Sequence, residues 1–326
     1  MPKEDYARAL VNDLEKDLPL VWGRPVSSVY FGGGTPSLFS ADEIGLLLSE
    51  FRARLTFVPG AEITLEANPG TIERDSFRAY REAGVNRVSL GVQSFQPELL
   101  KRIGRIHGRD EVDTSIESLN AAGLENFNID LMFGQPGQTV DQALADIDAA
   151  IAAAPAHISH YQLTIEPNTA FAVQKPELPA EDDSWNMQTQ TAEHLERAGF
   201  GQYEISAWSK PGRESAHNLN YWRYGDFPGI GAGAHAKLTD AANGRIRRLS
   251  KQRHPKHYLN GSRLFEDRLI EGDERVFEFF LNGLRLREGL QPEAFTSRTG
   301  LHWDEAAPAV ARAVDKGLLE MRNGRV

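Results

Sequence analysis

From residue 26 onward, short β-rich runs alternate with stretches whose apolar residues recur at helical spacing. The strand candidates are 26–33, 61–68, 87–94, 126–134 and 157–165, with amphipathic stretches near 41–54, 72–83, 97–104 with 109–122, and 138–154 between them. Ser40 ahead of Ala41-Asp42-Glu43, and Thr71 ahead of Arg74-Asp75, read as helix starts. The segments REAGVNRVSL and NAAGLENFNIDL repeat one plan: helix end, Gly84 or Gly123 as cap, short loop, next strand. Regular alternation of this kind predicts a parallel sheet, open or closed into a barrel. A further helix over 185–198 ends at Gly199 and leads into a strand over 202–209. Beyond Pro211-Gly212 the chain becomes aromatic, glycine-rich and basic. It finishes as a small helical, winged-helix-like module running into a hairpin at Asn323-Gly324. The predicted division is 1–209 and 210–326.

The strands share a habit that changes the picture from fold to site. Each ends in polar or small residues: Gly33-Gly34-Thr35, Glu66-Ala67-Asn68, Gln93-Ser94, Asp130, and Thr164-Ile165-Glu166. In a β/α barrel, side chains from several strand C-termini build the active site. Five polar strand ends in succession therefore point to a cleft there.

Composition narrows the classes. No run of about 18 apolar residues is present, so no transmembrane helix is expected. The start, MPKEDYARALVNDLEK, lacks an apolar leader core, which points to the cytoplasm. Cysteine is absent, which removes disulfides, thiolate catalysis and cysteine-held metals from these 326 residues. The net charge of −10 hides a basic stretch: residues 210–263 carry 11 Lys/Arg against Glu214, Asp226 and Asp240. Its densest part, RIRRLSKQRHPKH (245–257), reads either as a solvated face or as a seat for an anionic partner.

The run VYFGGGTPSLF (29–39) poses the sharpest question, because three consecutive glycines cost backbone entropy on folding. It is neither the dinucleotide fingerprint nor a P-loop, since no helix opens directly behind it and no Gly-Lys-Ser/Thr follows. A structural turn and a backbone laid against a ligand head remain. Taken together, GGGTPS, EANPG, GVQSF, the Arg of RIGRIHG and NIDLMFGQPGQT, in this order, resemble the radical S-adenosylmethionine (SAM) enzymes. The resemblance is closest to the oxygen-independent coproporphyrinogen oxidase family and its haem-chaperone branch, over residues 26 to about 290. It implies an α/β fold, a partial (β/α)6 barrel, with a smaller C-terminal α+β domain. It also implies that Gly33, Gly34, Thr35, Glu66, Gln93, Arg105 and Asp130 bind SAM. The residue types agree: Glu66 can accept from ribose hydroxyls, and Arg105 offers a forked donor to the SAM carboxylate.

The same family holds a [4Fe–4S] cluster on a C-x3-C-x2-C loop, and Fe–S clusters need cysteine thiolates. These residues supply none, so the expectation is a chain that lacks the cluster loop and the strand before it, and that does no radical chemistry as it stands.

A second constellation, HNLNYWRYGDFPGIGAGAHAK (217–237), contains the H-N-x-x-Y-W motif of the haem-chaperone branch. A histidine can ligate haem iron and aromatic rings can lie against a macrocycle. His217, Tyr221 and Trp222 are the candidate haem residues, with His235 as rival ligand and the 245–257 run beside the propionates. The bland reading is a packed aromatic turn. Three functions compete: a haem chaperone delivering haem to acceptor proteins, an oxidase converting coproporphyrinogen III to protoporphyrinogen IX, and a nucleic-acid-binding module. The motif favours the first, and the third is weakest because the tail lacks a basic recognition helix. Expected partners are haem or another porphyrin and a haem-acceptor protein, with a homodimer left open.

Overall fold

The structure is a computed structural model, and it describes residues 3–34, 36–70, 76–240, 242–261 and 263–326. The helices are α1 (Lys3–Val21), α2 (Ala41–Arg54), α3 (Phe77–Ala83), α4 (Pro97–Arg102), α5 (Arg109–Ala121), α6 (Val140–Ala152), α7 (Ala170–Gln174), α8 (Glu181–Arg197), α9 (Ala216–Trp222), α10 (Pro255–Leu259), α11 (Asp273–Gly283), α12 (Pro292–Thr299) and α13 (Ala307–Asp315). The strands are β1 (Val26–Phe31), β2 (Phe57–Ala67), β3 (Arg87–Gln93), β4 (Phe127–Phe133), β5 (His157–Gln162), β6 (Gly201–Glu204), β7 (Ala207–Ser209), β8 (His235–Thr239), β9 (Ile246–Lys251) and β10 (Leu264–Ile270).

The chain forms two compact units. One comprises Ser28–Gly45 and Glu62–Ser215; the other joins the N-terminal segment through Ser27 and Leu46–Ala61 to Ala216–Val326. The division is thus not the single boundary at 209/210 expected from sequence. The reason lies in α1, whose Asp13 and Asp17 both accept from Lys251 Nζ on β9 (2.8 and 2.7 Å).

A seven-stranded sheet in the order β1-β2-β3-β4-β5-β7-β6 curls into a partial barrel. Strands β2 to β5 pair in parallel, and β7 and β6 close the row antiparallel. The alternation along each strand explains the two layers. Ile63 and Leu65, Val88 and Leu90, Ile129 and Leu131, and Ile158 are buried on one face. Helices cover that face: Phe133 packs with Ala143 of α6 and Met187 of α8. The residues between them are Thr64 and Glu66, Arg87 and Ser89, Asn128 and Asp130, His157 and Ser159, which strand periodicity places on the other face. The barrel is therefore lined with polar groups.

Most predicted elements have local causes in the sequence. Ser40 and Glu43 form a reciprocal capping box on α2 (2.7 and 3.2 Å). Gly84 caps α3 in the left-handed conformation at φ 112°. The start signal at Thr71, Arg74 and Asp75 lies outside the described residues, and α3 is capped instead by Ser76. Two expectations need correction. The strand expected over 202–209 is a tight antiparallel hairpin, β6 and β7, whose turn is held by Gln202 Nε2 donating to Ile205 O (3.0 Å). The helix expected from 185 begins at Glu181, with Glu181, Asp182 and Asp183 in its first turn.

In the second unit, β10-β9-β8 form an antiparallel sheet. Ile246 and Ile270 of that sheet pack with Tyr224, Phe279, Leu290 and Phe295. The Asn323-Gly324 turn has φ 50° and 76°, as a type I′ hairpin turn requires, and Val326 exchanges both backbone hydrogen bonds with Leu290 (2.9 Å each).

Candidate functional site

Six of the predicted residues, Gly33, Gly34, Glu66, Gln93, Arg105 and Asp130, lie in one polar region at and just beyond the strand ends of the barrel. Tyr30 Oη donates to Glu66 Oε1 (2.7 Å), and the Gly33 N–H donates to Glu66 Oε2 (3.0 Å). The Glu66 carboxylate therefore bridges the end of β2 to the glycine loop after β1. An added Cβ on Gly32 would lie 2.6 Å from the Tyr30 ring and 3.0 Å from Glu66 Oε1. At Gly33 and Gly34, φ is 78° and 49°, and an added Cβ would meet nothing within 4 Å. Gly32 thus accommodates its own neighbour, and Gly33 and Gly34 shape an open cradle. Thr35 lies outside the described residues.

Gln93 is buried at φ 69°. Its Oε1 accepts from Tyr161 Oη (2.5 Å), and its carbonyl accepts from Gln135 Nε2 (3.1 Å). Arg105 Nη1 donates to Asn68 Oδ1 (3.1 Å), and a Cβ on Gly91 would come within 2.9 Å of that same oxygen. Asp130, partly buried, accepts from Ser89 Oγ (3.0 Å) and Asn128 Nδ2 (2.7 Å). Burial raises the Asp130 carboxyl above its ordinary value. The Tyr161 hydroxyl is pushed up to about 12, by burial first and then by Asp130, in the same field as Arg105 and Glu66. Tyr30 is raised by burial, Glu66 and Asp130. Sequence reasoning missed Tyr30, Ser89, Asn128, His157 and Tyr161, and named Asn68 only as part of a polar strand end. Their signal was polarity at every second strand position around the motif residues.

The cleft suits SAM in its donor set: carboxylates for hydroxyl and ammonium groups, a guanidinium for a carboxylate, and an open glycine backbone. The [4Fe–4S] cluster does not fit, because these residues contain no cysteine. No group of three or more His, Cys, Asp or Glu able to hold a metal occurs among the described residues.

The HNLNYW segment forms α9. His217 and Tyr221, one turn apart, meet edge to face with ring centres 4.7 Å apart, and Tyr221 continues onto Phe227 at 4.3 Å. Arg285 covers the Trp222 ring at 4.3 Å, while the buried Trp222 Nε1 has no hydrogen-bond partner among the described residues. His235 is exposed at the start of β8. The 245–257 run is less available than its charge implies. Arg247 pairs with Asp267, Arg248 with Glu278 (2.8 Å), and Lys251 with Asp13 and Asp17. Arg245, Arg253, His254, Lys256 and His257 are its exposed charged or titratable remainder.

Comparison with known proteins bears directly on this arrangement. The family model of the radical SAM superfamily matches residues 4–150, and that of the HemN C-terminal domain matches residues 270–326. The chain is 47% identical to the heme chaperone HemW of Escherichia coli, over 98% of this chain and 84% of that protein. It is also 47% identical to HemW of Haemophilus influenzae, over 92% and 79%. With HemW of Bacillus subtilis it shares 32%, over 98% and 85%. The solved coproporphyrinogen III oxidase HemN of E. coli, a radical SAM enzyme, superposes with a TM-score of 0.79 at 21% identity, over 99% of this chain and 78% of that one, which shows the fold. The chain belongs to the HemW family of haem chaperones within the radical SAM superfamily.

Proposed function

We propose that this protein binds haem through His217, with Tyr221 and Trp222 shaping the site, and hands it to haem-acceptor proteins in the cytoplasm. The observation that carries the reading is the α9 cluster, in which an imidazole, a phenol and an indole whose N–H has no partner among the described residues stand together on one helix. Arg245, Arg253 and Lys256, exposed cations of the basic run, are the proposed partners for propionates. No helix of the described residues is long and apolar enough to cross a membrane.

In the barrel, Gly33, Gly34, Glu66, Gln93, Arg105 and Asp130 are the proposed SAM contacts. When bound, SAM supplies an alkyl sulfonium. The chain's own part is to orient it: Glu66 and Asp130 accept from hydroxyl or ammonium groups, and Arg105 forks onto the carboxylate. With no thiolate in these residues, no radical step is assigned to them. The oxidase reading draws on motifs, a C-terminal domain and a fold that the oxidase shares with the haem chaperones, and a shared fold does not carry function.

Haem titration of His217→Ala tests the proposal. The expected result is a folded variant by circular dichroism with at least tenfold weaker haem binding, about 1.4 kcal/mol, and a shifted Soret band. Unchanged affinity and an unchanged band in a folded variant would reject His217 and move the assignment to His235.

A further inference from the structure

The chemistry that orients Asp130 extends well below the cleft. Asn128 (1% exposed) and His157 (0%) are buried in adjacent strands at paired register positions. Asn128 Nδ2 lies 2.7 Å from Asp130 Oδ1 and 2.7 Å from Ser89 Oγ. Ser89 Oγ in turn donates to Asp130 Oδ2 (3.0 Å). On its other side, Asn128 Oδ1 lies 2.7 Å from His157 Nδ1 and accepts from Ser159 Oγ (3.0 Å). His157 Nε2 lies 2.8 Å from Tyr203 Oη.

The polarity of this chain follows from one end. Both Asp130 oxygens accept, one from Ser89 Oγ and one from the Asn128 amide, so the amide group facing Asp130 is the NH2 of Asn128. Its carbonyl oxygen then faces His157, and because a carbonyl cannot donate, Nδ1 must carry the proton. Burial pushes the His157 imidazole well below its ordinary value and so keeps it neutral. A neutral ring with its proton on Nδ1 has a lone pair on Nε2, which accepts a hydrogen bond from the Tyr203 hydroxyl. Each step fixes the next.

We propose that Asn128 and His157 are positioning residues for the SAM cleft. They form a directional hydrogen-bond chain, Tyr203 to His157 to Asn128 to Asp130, that holds the Asp130 carboxylate in one orientation. The proposal rests on the assignment of Asp130 to SAM. It predicts that the His157 tautomer is set by Asp130 and not by Tyr203. The other titratable or charged groups around Asp130 are Tyr30 on β1, Glu66 on β2, Arg87 on β3, Tyr161 on β5 and, beyond β3, Arg105.

Two measurements on the full 326-residue chain test it. The first is imidazole nitrogen NMR without ligand. His157 is expected as the Nδ1–H tautomer, in the wild type and in Tyr203→Phe. An Nε2–H tautomer in the wild type, or a switch to it in Tyr203→Phe, would overturn the chain's polarity. The second is SAM titration across pH. The wild type is expected to bind with a flat profile between about pH 6 and about pH 8.5. Asn128→Asp, which places a second carboxylate against Asp130, is expected to weaken binding roughly tenfold across that range as their shared proton is lost. A folded Asn128→Asp variant with a profile as flat as the wild type rejects the positioning role. Asp130→Asn serves as the reference: if it leaves SAM affinity unchanged, the cofactor assignment itself falls, whatever tautomer His157 shows.

Discussion

A methyl group on Gly32 would stand 2.6 Å from the Tyr30 ring, whereas one on Gly33 would meet nothing but would hold φ 78°. The two glycines thus predict different penalties. Gly32→Ala forces overpacking, costing about 1–3 kcal/mol, and Gly33→Ala costs about 1–2 kcal/mol of backbone strain. In a Tyr30→Ala background the Gly32→Ala penalty is expected to shrink and the Gly33→Ala penalty to stay. Urea unfolding of the two double-mutant cycles reads this directly, and equal coupling in both would contradict it. Asp146 makes a second residue-scale case. It reaches from α6 to accept from Ser94 Oγ (2.7 Å) and the Phe95 N–H (2.8 Å), so it holds the turn that follows Gln93. Burial raises its carboxyl from 3.8 to about 6. The sign follows from the direction: the native state binds the proton more tightly, so this contribution is full below the unfolded value and lost as pH rises through about 6. Relative to Asp146→Asn, the wild type should therefore gain roughly 2 kcal/mol between about pH 7 and about pH 4.5. A stability difference that stays constant over that range would place the carboxyl near its ordinary value.

At the scale of elements, what the sequence showed depends on how far apart the partners lie. The parallel strands were legible because alternation, caps and polar ends are local: Ser40, Gly84 and Glu66 each declare themselves within a few residues. The β6–β7 hairpin was less so, since Ile205-Ser206 carries neither Gly nor Pro to announce a turn. Helix α1 was read only for its missing leader core, because the groups that hold it are far along the chain. Asp13 and Lys251 are 238 residues apart, and Tyr258 Oη also donates to Asp13 (2.8 Å). How much of the basic run is already paired was hidden for the same reason, as its carboxylate partners Asp267, Glu278, Asp13 and Asp17 lie outside it. This element-level clamp carries its own prediction. Lys251→Met would leave two carboxylates facing each other in a buried site, at a cost of about 3–5 kcal/mol. Adding Asp13→Asn and Asp17→Asn should recover most of it, because uncharged groups no longer repel. Thermal melts of the single and triple variants distinguish this from a packing role, for which the triple variant would be the least stable.

For the whole molecule, the two proposed ligands draw on different parts of the chain. Every proposed SAM contact belongs to the unit of Ser28–Gly45 and Glu62–Ser215, and every proposed haem contact to the other. The candidate barrel residues could be read from the sequence because four motifs fall in order at strand ends and a fifth, around Arg105, follows α4. The haem residues were legible only as a motif, since nothing local separates a ligating histidine from a packed one. Separate residue sets make a quantitative claim about the molecule. Mutations that share no partner add in free energy, usually to within about 0.5 kcal/mol. Glu66→Gln should thus weaken SAM binding, through the loss of one carboxylate oxygen, and leave haem affinity unchanged, while His217→Ala should do the reverse. Calorimetry of each ligand against each variant, and of haem with SAM saturating, tests this. If SAM shifts haem affinity in the wild type, thermodynamic reciprocity requires haem to shift SAM affinity by the same factor. A haem affinity that falls in Glu66→Gln without SAM present would show instead that the barrel cleft itself takes part in holding haem.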